Sequence, residues 1–355
     1  MAEGHWTGPA SEAGAKGRAP LRVARPRPAA YAALDLGTNN CRLLIATPAG
    51  ESFRVIDAYS RVVRLGEGLG ATGRLSEAAM ERAIAALGAC ADKLRRREVA
   101  GMKAVATQAC RAAGNGAEFV ARVAEQTGIQ LEVISPREEA RLSVAGCRNL
   151  LDRDAEAALV LDVGGGSTEL SWLDLKRGTG PGAMRAWLSV PLGVVSLAER
   201  FPEDGADRDG WFEAMVAAVR AELRTFPHAE ELRPAFADGR GHLIGTSGAI
   251  TSLAGLHLRL PRYDRSKVDG LWLTDADCRD AAGRLLALDG PGRAGEPCIG
   301  PDRADLVLAG AAILEAVQRE WPCRRVRVAD RGLREGLLLA MMSGRGGGRR
   351  RRRSR

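Results

Sequence analysis

Two acids in this chain each stand just before a glycine turn. Leu34-Asp35-Leu36-Gly37-Thr38-Asn39-Asn40 and Leu161-Asp162-Val163-Gly164-Gly165-Gly166-Ser167 share the frame Leu-Asp-apolar-Gly, 127 residues apart. A glycine-tight turn lets backbone N–H groups and short hydroxyl or amide side chains approach phosphate oxygens. The candidate phosphate ligands are therefore Gly37, Thr38, Asn39 and Asn40 in the first turn, and Gly164, Gly165, Gly166, Ser167 and Thr168 in the second. An Asp preceding such a turn suits Mg²⁺, usually held partly through water, which makes Asp35 and Asp162 the candidate metal ligands. The first turn also fits an ordinary hairpin, where Asp, Gly and Asn are common. Three successive glycines are entropically costly and exceed what a hairpin needs, so the second turn is expected to bring its backbone close to a ligand.

A further acid is singled out by elimination. In Ser135-Pro136-Arg137-Glu138-Glu139, Ser135 reads as an N-cap, Pro136 as the first helical residue and Glu138 as the partner in a capping box. Glu139 points about 100° away around the helix and is free to act on water, although a charge near a helix N-terminus also has a purely structural use. Arg111, shortly after a strand end, can offer phosphate its planar fork; a surface arginine is the plainer reading. Gly245-Thr246-Ser247-Gly248 opens a helix whose free N–H groups suit an anion, giving Gly245, Ser247 and Gly248 as candidates, or simply a capped helix.

The elements that must position these residues alternate. Strands are expected at 31–46 (two, around the first turn), 53–65, 102–107, 129–134, 157–174 (two, around the second turn) and 324–328. Helices are expected from Ser76 with apolar residues at spacings of three and four, at 117–127 ended by Gly128, from Ser135 to about Leu150, and at 305–320 and 330–342. Alternation of this kind indicates an α/β architecture. The repeated frame suggests two similar halves facing across a cleft.

Composition narrows the chemistry. The seven cysteines are scattered without a C-x-x-C pair, and the four histidines include no i,i+4 pair, which argues against a disulfide framework or a zinc site and fits a reducing, cytoplasmic location. No apolar run of about 18 residues is present, so no membrane span is expected. The formal charge of +8 belongs to the ends. Residues 1–28 carry five basic and two acidic side chains and 343–355 carry seven arginines, so the remainder is slightly acidic. Both ends are expected to be disordered; the arginines of the C-terminal one also offer a docking point for a polyanion.

The ordered set DLGTNN, ATQACRAA, PREEARL, DVGGGSTEL, GTSGAITSLAG, DRADLVLAGAAILEA and DRGLREGLL resembles the exopolyphosphatase / guanosine pentaphosphate phosphohydrolase (Ppx/GppA) family, over about 29–342, in a short form without C-terminal HD-type helical domains. The resemblance implies two ribonuclease-H-like domains of the actin-like ATPase superfamily flanking a phosphate-binding cleft: 29–138 plus 326–342 as domain I and 139–325 as domain II, between ends at 1–28 and 343–355. It also implies Glu139 as the catalytic glutamate, Arg111 as a cleft arginine and Glu169 as an acid near the attacking water. Asn40 stands where members often carry Ser. The implied activity is Mg²⁺-dependent hydrolysis of the terminal phosphoanhydride of inorganic polyphosphate, pppGpp or both. A kinase of the same superfamily would need an acceptor pocket with a base, and none is read. A non-catalytic sensor of the same ligands would have no use for Asp35, Glu139, Asp162 and Glu169. Oligomeric state is left open.

Overall fold

The computed structural model describes residues 29–50, 52–203 and 207–350, the last seven by backbone alone. Two mixed sheets organise the chain. The first is built from β1 (Tyr31–Leu36), β2 (Asn40–Ala49), β3 (Ser52–Val62), β4 (Gly101–Ala106) and β5 (Glu132–Val133), in the order β3-β2-β1-β4-β5. The second contains β6 (Ala157–Val163), β7 (Thr168–Asp174), β8 (Met184–Val190), β9 (Gly241–Thr246), β10 (Trp272–Thr274) and β11 (Arg325–Ala329), in the order β10-β11-β9-β6-β7-β8. In each sheet a three-stranded antiparallel meander is followed by two strands added in parallel, and the second sheet ends on the short antiparallel β10. This is the ribonuclease-H-like arrangement, and it occurs twice, as in actin-like ATPases.

The repeated sequence frame is therefore a repeated structure. Asp35 pairs across the hairpin with Arg42, and Asp162 pairs with Glu169. Gly37 N donates to Asn40 O and Gly164 N to Ser167 O, both at 2.9 Å. The two turns are thus the same device, each delivering an Asp at the end of a strand buried on both faces.

Each sheet has a core against its outer helices. In the first, Leu34, Leu36, Leu43 and Ile45 pack with Leu87 and Cys90 of the Glu77–Arg97 helix. In the second, Leu159, Leu161 and Leu243 pack with Ile313 and Val317 of the Val307–Glu320 helix and with Met215 and Val219 of Arg208–Leu223. The inner faces meet two further helices, Pro136–Cys147 and Leu333–Arg350. These two cross at glycines: a Cβ on Gly146 would collide with Gly332 O, and one on Gly336 with Leu142 O. The helix that carries Glu139 is fixed by that close crossing.

Several expectations change. The strand read at 129–134 is two residues long, because Ile129, Leu131 and Ile134 turn into apolar cores rather than extending the edge. β11 pairs with β9 in the second sheet, so the chain returns to the first unit at the 330–332 loop and not at 326. The last helix continues past Met342 to Arg350, within the segment expected to be disordered; the expectations for 1–28 and 351–355 lie outside the described residues. β8, β9, β10 and the helices between Val194 and Gly295, other than the one that opens at Gly248, were not read from the sequence. No helix among the described residues is long and apolar enough to cross a membrane.

Candidate active site

The two units face each other across a cleft of about 1060 Å³. Asp35, Gly37, Thr38, Asn39 and Asn40 line it from the first unit, and Asp162, Gly164, Gly165, Gly166 and Ser167 from the second. Glu139, Ser247 and Gly248 line it as well. Most of the residues read from the sequence are thus brought together, but several do work other than that expected.

The glycines of the second turn are needed because the turns interlock. A Cβ on Gly165 would lie 2.9 Å from Thr38 Cβ and 3.1 Å from Asn39 N, and one on Gly166 would lie 2.8 Å from Thr38 Oγ1. The close backbone approach is to the other turn. Ser167 and Thr168 have their hydroxyls committed, Ser167 Oγ to Glu169 Oε1 at 2.7 Å and Thr168 Oγ1 to Leu192 O at 2.7 Å. Thr168 does not reach the cleft wall, and Gly245 packs against Ile250 inside the sheet rather than lining it. What the first turn leaves open is polar: Thr38 Oγ1, Asn39 Oδ1 and Asn40 Oδ1 are buried without a hydrogen-bond partner. Buried polar atoms are normally paired, so these three mark a place for a polar ligand.

Glu139 is 9% exposed at the start of its helix. Ser135 Oγ accepts from Glu138 N at 3.2 Å, as a cap should, but the reciprocal half of the expected capping box is missing because Glu138 pairs with Arg141. Arg111 does not line the cleft. Its guanidinium donates to Glu139 Oε2 at 3.2 and 3.3 Å, to Ile134 O at 2.7 Å and to Gln108 Oε1 at 2.8 Å. It holds the acid in place instead of offering a fork to phosphate. Glu169 also lies behind the wall, accepting from Ser167 and from Ser189 Oγ at 2.9 Å.

Burial raises all four acids. Glu139 is pushed well up, first by burial and then by the charge of Glu169, with Arg111 opposing. Glu169 is raised by burial and by Asp162, with Ser167 and Ser189 opposing. Asp162 is raised to about 6 by burial and by Asp35, against the Ser143 hydroxyl bond. Asp35 is raised by burial, against Arg42 and Arg334. This is a concentration of negative charge that a cation would relieve. Among the described residues no group of three or more His, Cys, Asp or Glu could hold a metal alone. Asp35 and Asp162 supply two hard oxygen donors, which fits Mg²⁺ completed by water and phosphate oxygens and does not fit zinc.

Sequence reasoning missed the opposite charge. Arg42, Arg303 and Arg334 line the same cleft, and among the described residues none of their guanidinium groups makes a salt bridge or hydrogen bond. A Cβ on Gly248 would lie 3.6 Å from Arg42 Nη2 and 3.8 Å from Arg303 Cζ, so both converge on the N-terminus of the Gly248–His257 helix. Ser247, which caps that helix, has φ 127°, a region that favours glycine and costs other residues strain. Burial lowers the Arg42 pKa, and Arg334 and Arg303 lower it further. A signal was present: Arg42 follows Asp35 at the spacing at which Glu169 follows Asp162.

Comparison with known proteins agrees with this geometry. The sequence profile of the Ppx/GppA phosphatase family matches residues 44–344. The chain belongs to that family. It is 28% identical to a Ppx/GppA family member of Aquifex aeolicus of known crystal structure, covering 89% of this chain and 98% of that one with a TM-score of 0.73. It is 29% identical to an exopolyphosphatase-like protein, over 88% and 97% of the two chains, with a TM-score of 0.76. An exopolyphosphatase of Cytophaga hutchinsonii, 24% identical over 89% and 98%, shares the fold with a TM-score of 0.79. As a Ppx/GppA phosphatase, the chain is a hydrolase.

Proposed function

We propose that this Ppx/GppA phosphatase is an exopolyphosphatase that removes the terminal phosphate of inorganic polyphosphate, of pppGpp or of both, with Mg²⁺ as cofactor. The observation that carries the reading is one cleft that gathers buried acids and, among the described residues, three guanidinium groups without partners. Three unpaired guanidinium groups and a helix N-terminus suit the successive charges of a phosphate chain. Buried acids nearby suit a water and a cation at its last phosphoanhydride.

Asp35 and Asp162 would hold Mg²⁺, which supplies charge neutralisation on the transferring phosphoryl group. Thr38 Oγ1 and the backbone N–H groups of both turns would donate to that group, while Asn39 Oδ1 and Asn40 Oδ1, as acceptors, would take hydrogen bonds from water beside it. Glu139 would position the attacking water and take its proton, and for that it must be ionised. Arg111 favours the ionised form from 3.2 Å. Glu169 acts from behind through its charge. Arg42, Arg303 and Arg334 would hold the phosphates further along the chain. The exopolyphosphatase name of one relative and the fit of the unpaired guanidinium groups support polyphosphate; pppGpp presents the same terminal bond. The expected location is cytoplasmic, with the C-terminal arginines as an auxiliary polyanion contact.

The test is phosphate release by the purified chain from long polyphosphate, short polyphosphate and pppGpp. Release from polyphosphate that stops on chelating Mg²⁺ supports the proposal. Release from pppGpp alone narrows it to alarmone hydrolysis. Binding without release from any of the three overturns it in favour of a sensor.

A further inference from the structure

Ser143 lies one helical turn after Glu139, on the same helix, and is 1% exposed. A buried helical serine commonly bonds back to the carbonyl four residues earlier. Here its hydroxyl donates across the unit to Asp162 Oδ2. It is the only side-chain donor to that carboxylate among the described residues, so Oδ1 is left for something else. The helix presenting it cannot slide or rotate freely, because the flanking residues Leu142 and Gly146 are the ones that meet Gly336 and Gly332. Space beside the pair is kept by the missing side chain of Gly332: a Cβ there would lie 3.5 Å from Ser143 Oγ and 3.9 Å from Asp162 Oδ2. Thr246 Oγ1, 3.4 Å from that same Cβ position, is bonded to Arg331 O at 2.6 Å and does not compete for the carboxylate.

We propose that Ser143 is the positioning residue for Asp162: its hydroxyl fixes one carboxylate oxygen so that the other is presented for a divalent cation, and it ties that cation's location to the helix bearing Glu139. The inference rests on the reading of Asp162 as a cation ligand. A single helix then sets both the water-directed acid and, through Ser143, one carboxylate at the phosphate. The hydroxyl acts through Asp162 and touches neither substrate nor cation. Hydrogen-bond partners of metal ligands typically change metal affinity or activity about 10–100-fold when removed.

The experiment measures Mn²⁺ binding by electron paramagnetic resonance to the full chain with inorganic phosphate present, for wild type, Ser143→Ala, Ser143→Cys and Asp162→Asn, alongside each protein's melting temperature in EDTA. The expected result is Mn²⁺ binding about 10-fold weaker in Ser143→Ala and intermediate in Ser143→Cys, which keeps the size and a weak donor. A purely structural role would lower the melting temperature and leave Mn²⁺ affinity alone. Wild-type affinity in Ser143→Ala, with affinity lost in Asp162→Asn, overturns this inference and spares the reading of the site. Unchanged affinity in Asp162→Asn overturns both.

Discussion

Glu139 differs from its neighbour Glu138 in what surrounds it. Glu138 is paired with Arg141 at the surface, whereas Glu139 faces other buried acids and one arginine. Replacing Glu139 by Gln keeps the shape and removes the base. Turnover on polyphosphate is expected to fall by about 10²–10⁴ with binding retained, as single-turnover phosphate release and equilibrium binding together would show. Arg303 is a different case, since it is unpaired and faces the cleft. Its loss removes charge-assisted bonds worth about 1.5–3 kcal/mol, so Arg303→Ala should raise KM about 10–100-fold and change kcat less. Measured KM equal to wild type would exclude Arg303 from the phosphate path. At this scale the sequence told which residue types gather but not which ones are already spent. Ser167, Thr168 and Arg111 looked available, and each has its donors committed inside the fold. Hydrogen-bond partners far along the chain are invisible to spacing.

The turns, strand ends and crossing helices make the site rigid. Gly336→Ala would force the last helix away from Leu142 O. Overpacking of this kind costs about 1–3 kcal/mol, and because the displaced partner carries Glu139, thermal stability and turnover should fall together. On β9, His242 is 2% exposed. Its Nε2 accepts from Asp152 N at 3.1 Å, and burial holds its pKa down at about 4, with Arg325 and Arg327 opposing a positive charge and Asp152 favouring one. The unfolded chain binds that proton near pH 6.5. His242 therefore leaves stability intact above about pH 6.5 and withdraws it as pH falls towards 4, by up to roughly 3 kcal/mol. The raised carboxyl groups of the cleft act in the opposite sense over the same range, so the His242 contribution is read as a difference: urea unfolding of wild type and of His242→Gln should diverge progressively as pH falls from 6.5 towards 4. Elements with clear periodicity or caps, such as the Glu77–Arg97 helix with Ser76 as its N-cap, were legible. β10 was not: three residues carry no period, and Trp272 is placed by stacking under Arg325 and Arg327, a contact made only after β11 arrives.

Across the whole molecule, the duplicated frame was the most informative sequence feature, because two matching turns at matching strand ends require two matching sheets. What it could not reveal is how the halves meet. The 63–69 segment does much of that; it is tied to its own unit where Val63 N and Arg64 N donate to Asn39 O and Gly66 N to Thr38 O. From the same segment Arg64 reaches Asp305 at 2.8 and 3.2 Å, and Gly68 N reaches Glu199 Oε1 at 2.9 Å. Both contacts are partly exposed, and such pairs contribute no more than about 1 kcal/mol. Asp305→Asn should therefore leave unfolding stability nearly unchanged while increasing the radius of gyration in small-angle scattering without substrate. An unchanged radius would show that the mouth is held elsewhere.

The interlocked turns have a consequence for how such an opening would run. If the mouth parts at the 63–69 segment while Gly165 and Gly166 stay against Thr38 and Asn39, that contact becomes a fulcrum. Displacement then grows with distance from it. Asp35 and Asp162, each three residues from the fulcrum at Thr38 and Gly165, barely travel, while groups further from it travel more. The lever keeps the carboxylates in register through every opening, so only the rim has to be rebuilt each time the mouth shuts.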